Sequence, residues 1–172
     1  MIDQPHASQL AKQAFDFWQN GQAERAVPLY QEALRLADPR HLGLPDYHGE
    51  FAGTLSTLGR YAEAREQYQL ALAVQRQQDQ DEFTSGVVVA RHFLAEHYLH
   101  RNEPLLALET VEPSLKNGVK LEWLLRYTKA ISLSALGRSE EARTEAAQAL
   151  EKAPSKEKRE ELSVLFSGHG VF

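Results

Sequence analysis

The chain has 172 residues, 42% hydrophobic and 25% charged, with a formal net charge of -5 and no cysteine. Acidic and basic residues are interspersed, which argues against nucleic acid or an anionic membrane surface as the main partner, because both need a concentrated positive field. Without cysteine there are no disulfides, no thiolate chemistry and no Cys-based zinc sites.

The predicted elements are all helices, and Ala, Leu, Gln, Glu and Arg supply good helix formers throughout. In chain order they cover 4–19, 22–37, 45–58, 61–80, 85–101, 104–117, 120–136, 139–152 and 155–166. The N-terminal MIDQPHASQLAK lacks a basic stretch followed by an apolar run, so no secretory signal is expected. No stretch has the apolar length of a membrane span, and the cytoplasm is the default location. Pro45 and Pro104 stand where a first helical turn accepts proline. Two insertions fall between helices, HLGL at 41–44 and DQDEFTSGV at 79–87. The polar run RQQDQDE at 76–82 suits either the overhanging end of a long helix or a solvated loop. Ser155 is an N-cap with Glu157 in the first turn. The last helix carries Leu162, Leu165 and Phe166 on one side and is expected to cap an array, with SGHGVF frayed behind it.

The sequence repeats itself. LGRYAEAREQYQLAL at 58–72 and LGRSEEARTEAAQAL at 136–150 agree at eight of fifteen positions. Four sets share the spacing 7, 5, 7, 1: Ala14, Gly21, Ala26, Ala33, Leu34; Ala52, Gly59, Ala64, Ala71, Leu72; Ala95, Asn102, Ala107, Ser114, Leu115; and Ala130, Gly137, Ala142, Ala149, Leu150. Seven residues make two helical turns, so both ends face the same way. The five-residue step crosses a break at Gly or Asn, residues that tolerate the left-handed conformation ending a helix. Each unit therefore reads helix, tight turn, helix, with small residues where the helices cross.

This pattern resembles the tetratricopeptide repeat family over roughly residues 7 to 156. Tyr30 and Tyr68 occupy the aromatic position of the second helix, with Val111 and Ala146 in the later copies. Pro154 stands where the family often ends that helix, and Pro39 is one residue late. The early Trp of the first helix is missing; Leu10, His48, Arg91 and Arg126 replace it. The resemblance implies one all-α domain over 1–172, an α-α superhelix of four helix-turn-helix repeats (7–40, 45–78, 88–121, 123–156). A capping helix at 155–166 and a tail at 167–172 follow.

The family also implies a concave groove lined by the first helix of each unit. Carried over, its positions are Ala11, Phe15 and Trp18; Gly49, Gly53 and Ser56; His92, Glu96 and Leu99; and Tyr127, Ile131 and Ser134. The Lys and Asn residues by which some members clamp a terminal carboxylate are absent. Phe15 and Trp18 are either anchors for a partner or are packed on the next helix. Gly49 and Gly53 each cost a helix about 1 kcal/mol relative to Ala, which points to close packing or to room for an incoming segment.

His92, Glu96 and His100 are four apart and share one helical face, a geometry that offers a metal two imidazoles and a carboxylate. The zinc-protease pattern is absent, and a polar face with Glu-His pairs is the simpler reading. If His92 lies beside Glu96, binding would be pH-sensitive. No phosphate loop and no nucleophile-base arrangement can be read, so a non-catalytic protein without cofactor is expected. The favoured function is protein or peptide binding in the groove, as an adaptor or chaperone-like protein. The alternatives are an immunity-type inhibitor of a folded toxin or enzyme, and a metal-binding protein. The apolar tail LSVLF…VF offers a route to self-association, and the abundance of Ala, Gln and Arg looks bacterial.

Overall fold

The computed structural model describes residues 1–172, which form nine α-helices and one short 3-10 helix without a strand. They divide into two compact units, Met1–Gln80 and Asp81–Phe172. The first unit holds α1 (Gln4–Gln19), α2 (Ala23–Leu36), α3 (Leu44–Thr57) and α4 (Tyr61–Asp79). The second holds α5 (Ser85–His100), α6 (Pro104–Val111), α7 (Glu122–Ala135), α8 (Ser139–Lys152) and α9 (Lys156–Gly168).

Local chemistry sets the helix starts. Asp3 accepts from the His6 amide at 3.2 Å, Thr84 from Val87 at 3.3 Å and Ser155 from Lys158 at 3.1 Å, each satisfying a donor that the first turn leaves free. The duplicated Leu-Gly-Arg sentence has a matching geometry. Arg60 forks onto Glu63 at 2.8 and 2.7 Å, and Arg138 onto Glu141 at 2.8 and 2.6 Å. Each pair spans the first turn of its helix.

The expected turns are present. Gly21, Gly59 and Gly137 have φ of 74, 73 and 77°, and Asn102 has φ of 59°. In each hairpin the amide following the left-handed residue bonds a carbonyl five residues back: Gln22 to Phe17, Arg60 to Leu55, Glu103 to Tyr98 and Arg138 to Leu133. This is the bond that closes a left-handed helix terminus.

The small residues of the repeat lie in the interior. Ala14, Ala26, Ala33, Ala52, Ala64, Ala95, Ala107, Ala130, Ala142, Ala149 and Ser114 are all fully buried. In the first unit they pack with Tyr30, Tyr47, Phe51 and Leu55, and the Tyr30 and Phe51 rings stack 5.6 Å apart. In the second, Leu133, Leu162, Phe166 and Val171 form the corresponding cluster.

The vacant Trp position has a substitute. His48 Nδ1 meets Gln67 Oε1 at 2.7 Å, Arg91 donates to the Thr110 carbonyl at 2.9 Å, and Arg126 donates to Glu145 at 2.8 Å. Each contact joins the first helix of a hairpin to a residue nineteen positions later on the second. Polar rungs thus replace the missing indole in three hairpins. In the first, Leu10 and Leu29 pack against the apolar cluster.

Three expectations are corrected. Helix 104–117 stops at Val111 and tightens into a 3-10 turn over Glu112–Ser114, because Pro113 lacks the amide that would continue it. Helix 120–136 begins at Glu122, after Leu121 in a left-handed conformation. The tail is not frayed: α9 runs to Gly168, Gly170 turns the chain at φ 69°, and Val171 is buried with its amide bonded to the Phe166 carbonyl. The run at 76–82 is helical as far as Asp79, and Gln80 ends it in a left-handed conformation.

Candidate functional site

In the first unit, Trp18 leaves α1 and rests on α3. Its Nε1 donates to Thr57 Oγ1 at 3.0 Å. A Cβ at Gly53 would lie 2.5 Å from the indole Cη2, so Gly53 is the slot that accepts the ring. Phe15 meets Trp18 edge-on at 6.0 Å and is 38% exposed. The aromatic pair is therefore half interior packing and half available surface. Gly49 differs from Gly53, since nothing lies within 4 Å of a Cβ built there. Its glycine leaves the backbone of α3 open one turn before the Trp18 contact. Ser56 is half-buried and hydrogen-bonds with Tyr68, whose hydroxyl burial pushes above its usual range.

Sequence reasoning missed two carboxylates on this helix. Asp46, Glu50 and Gly53 recur at helical spacing along one side of α3. Glu50 is half-buried and accepts from the Tyr30 hydroxyl at 3.1 Å. Burial pushes its carboxyl above the usual carboxylate range, Tyr30 works against that shift, and Asp46 adds to it. Neither Asp46 nor Glu50 pairs with a cation. On α1, Lys12 is held by Asp16 at 3.0 Å.

In the second unit the residues expected to face a groove are divided. His92 Nδ1 meets Thr128 Oγ1 at 2.8 Å, and burial pushes the imidazole down to about 4. Glu96 lies 4.0 Å from His100; burial raises its carboxyl and His100 offsets part of the rise. Leu99 is half-buried against the second cluster. Tyr127 packs its ring 5.6 Å from Phe166, and burial, together with Glu96 and Glu161, pushes its hydroxyl up to about 12. Ile131 is only 4% exposed and belongs to the same cluster. Ser134 donates to the His169 carbonyl at 3.3 Å. The C-terminal segment thus covers the α7 face, and Ile131 is core rather than groove lining.

Two chemical alternatives raised by the sequence can be tested on this geometry. No group of three or more His, Cys, Asp or Glu side chains is placed to hold a metal. His92 turns to Thr128 while His100 is 77% exposed, so the alternative of a metal held by His92, Glu96 and His100 finds no convergent trio. His92 is also neutral throughout the physiological range, which removes it as a pH switch there.

A polar recess of about 420 Å³ borders Glu112, Lys116, Asn117, Arg126 and Lys129. Its Arg126 is engaged by Glu122, Glu145 and Asn117, and Lys129 by Glu145 at 3.1 Å and more loosely by Glu112. The recess is therefore a braced ionic network, and its charge is largely spent internally.

A tetratricopeptide repeat family model matches residues 7–77, the stretch that contains the first two hairpins and the Trp18–Gly53 contact. Over these residues the chain is similar to the tetratricopeptide repeat family. The fold extends further. A Podosopora anserina putative kinesin light chain with nearly identical TPR-like repeats is 20% identical, with a TM-score of 0.73 over 99% of this chain and 90% of that one. BtubC (BKLC) from P. vanneervenii is 18% identical, with a TM-score of 0.70 over 96% and 73% of the two chains. YrrB, a TPR protein with an unusual peptide-binding site, is 17% identical, with a TM-score of 0.61 over 94% and 77%. No curated protein sequence matches the chain. The fold class is accordingly all-α and of the tetratricopeptide solenoid type. No helix of the protein is long and apolar enough to cross a membrane.

Proposed function

We propose that the protein is an adaptor or chaperone-like module, and that a partner segment docks on the α3 face of the first unit beside Phe15 and Trp18. The observation that carries this reading is the contrast between two glycines on one helix. Gly53 is filled by the protein's own indole, whereas Gly49 is open. A helix interior gives up about 1 kcal/mol for each glycine relative to alanine, and only the first loss is explained by internal packing. Space beside a half-exposed aromatic pair suits an apolar side chain from outside. YrrB's peptide-binding site supports peptide recognition as the mode, since the two folds correspond.

Site-specific photo-cross-linking tests the proposal. A benzoylphenylalanine at position 49 should form a partner adduct in cells, and the same group at the exposed Glu24 of α2 should not. Adducts from position 24 alone, or none from 49, would remove this face from consideration. The state of the captured partner then separates roles: an adaptor or chaperone holds a segment, whereas an immunity-type inhibitor holds a folded protein.

A further inference from the structure

We propose that Asn117 is a site of spontaneous deamidation built into the fold: the Gly118 amide nitrogen closes on the Asn117 side chain, Glu122 takes the amide proton, and Arg126 polarises the side-chain carbonyl.

The chain contains two Asn-Gly dipeptides, Asn20–Gly21 and Asn117–Gly118. Glycine has no side chain to shield its nitrogen or restrict its backbone, so the following amide reaches an asparagine most readily in this dipeptide. The two copies are equal in sequence and unequal in the structure. At Asn117 the side-chain Oδ1 accepts from Arg126 Nη2 at 2.8 Å, which draws electron density from the carbon to be attacked. The Gly118 amide donates to Glu122 Oε2 at 2.8 Å, so the attacking nitrogen already points its proton at a carboxylate. The other oxygen of Glu122 accepts from Arg126 Nε at 2.7 Å, and Arg126 is also tied to Glu145 at 2.8 Å. Both side chains are buried, and these bonds fix them in place. Asn117 and Gly118 themselves are exposed to water, in a turn closed by the Val119 amide on the Lys116 carbonyl.

Asn20 has the opposite arrangement. Its Nδ2 donates to the Asp16 carbonyl at 2.8 Å, which holds the group that would have to leave. The Gly21 amide donates to the Trp18 carbonyl at 3.0 Å, and a neutral carbonyl is a poor acceptor for a proton in transfer. The Asn20 backbone amide is held by the Asp16 carbonyl as well.

The chemistry balances with water as the only co-reactant. The Gly118 nitrogen bonds to Asn117 Cγ. Its proton passes to Glu122 and then to Nδ2, and the Cγ–Nδ2 bond breaks to release ammonia. Water opens the resulting cyclic imide at either carbonyl, leaving aspartate or isoaspartate at position 117. Either product adds a negative charge to the recess bordered by Lys116, Arg126 and Lys129.

Ageing of the full-length protein in mildly alkaline buffer, with and without guanidinium chloride, tests the proposal. The peptides holding positions 20 and 117 are followed by mass spectrometry. In the folded protein Asn117 should convert about tenfold faster than Asn20, giving both aspartate and isoaspartate. In denaturant the Asn117 rate should fall and the two rates should converge. Glu122→Gln, with its folding checked by circular dichroism, should slow conversion at Asn117 and leave Asn20 unchanged. The parent protein in and out of denaturant decides the matter if that variant does not fold. Equal rates at the two sites in the folded protein, or an Asn117 rate that rises on unfolding, would overturn the proposal. Aspartate without isoaspartate would overturn attack by Gly118, and an unchanged rate in folded Glu122→Gln would overturn the role of Glu122.

Discussion

Arg126 on α7 donates to Glu145 on α8 at 2.8 Å, to Glu122 one turn back on its own helix at 2.7 Å, and to Asn117 at 2.8 Å. Both the guanidinium and the Glu122 carboxylate are nearly removed from solvent. Although burial opposes ionisation of Glu122, the Gly118 amide and Arg126 outweigh it, and the carboxyl is held below its usual range.

Arg126→Leu should therefore destabilise the second unit by about 3 kcal/mol, because it strands a buried carboxylate. Combining it with Glu122→Gln should recover part of that loss. Urea unfolding followed by the fluorescence of Trp123, which sits on α7, reads both variants. Equal stability of Arg126→Leu and the parent protein would show that the network does not bear on folding.

The two glycines of α3 should respond differently to alanine. Gly49→Ala meets no atom and should stabilise the first unit by about 1 kcal/mol. Gly53→Ala makes the same helical gain but displaces the indole and its bond to Thr57, so little or no net gain is expected. In a Trp123→Phe background, only Gly53→Ala should shift the Trp18 emission to the red. Equal melting temperatures for the two variants would contradict the assigned contacts.

His92 makes a pH prediction. Its imidazole is pushed down to about 4 by burial, while an unfolded histidine titrates near pH 6.5. Below that value the unfolded state binds the proton first, so stability falls as pH drops from about 6.5 towards 4. At pH 5 the loss attributable to His92 is on the order of 2 kcal/mol. Glu96, raised by burial, works in the opposite sense, since the folded state protonates it first as pH falls. Comparing the parent with His92→Gln cancels the Glu96 contribution. The difference in stability should shift in favour of the variant between pH 7 and 5; a constant difference would refute the assignment.

Ser114 stands where the other hairpins have alanine, and its buried Oγ finds no hydrogen-bond partner. Ser114→Ala should stabilise the second unit by about 1 kcal/mol, because it removes an unsatisfied hydroxyl. A loss of stability on thermal melting would indicate a partner for that oxygen.

The architecture was legible because it rests on local rules. Gly21, Gly59, Asn102 and Gly137 announce turns by their own backbone freedom, and the alanines spaced around them announce helix crossings. The candidate site was less legible because its character depends on contacts between helices. Gly49 and Gly53 are identical in the sequence, and only the path of the Trp18 ring tells the filled position from the open one. Ile131 reads as a groove residue by its place in the repeat, yet the chain returns thirty-five residues later to cover it with Phe166. Glu50 gave no signal in the sequence, where it is one of many carboxylates on helical surfaces. Its distinction is the lack of a cation in a partly dry setting.

The rungs nineteen residues apart have a thermal consequence. In the first unit these positions hold Leu10 and Leu29, each packed against the apolar cluster, and an imidazole-amide pair; in the second they are guanidinium groups bound to a carboxylate or a carbonyl. The cost of dehydrating ions shrinks on heating while apolar attraction levels off. Warming should therefore loosen the amino-terminal half ahead of the carboxy-terminal half, so that the protein melts in a fixed direction.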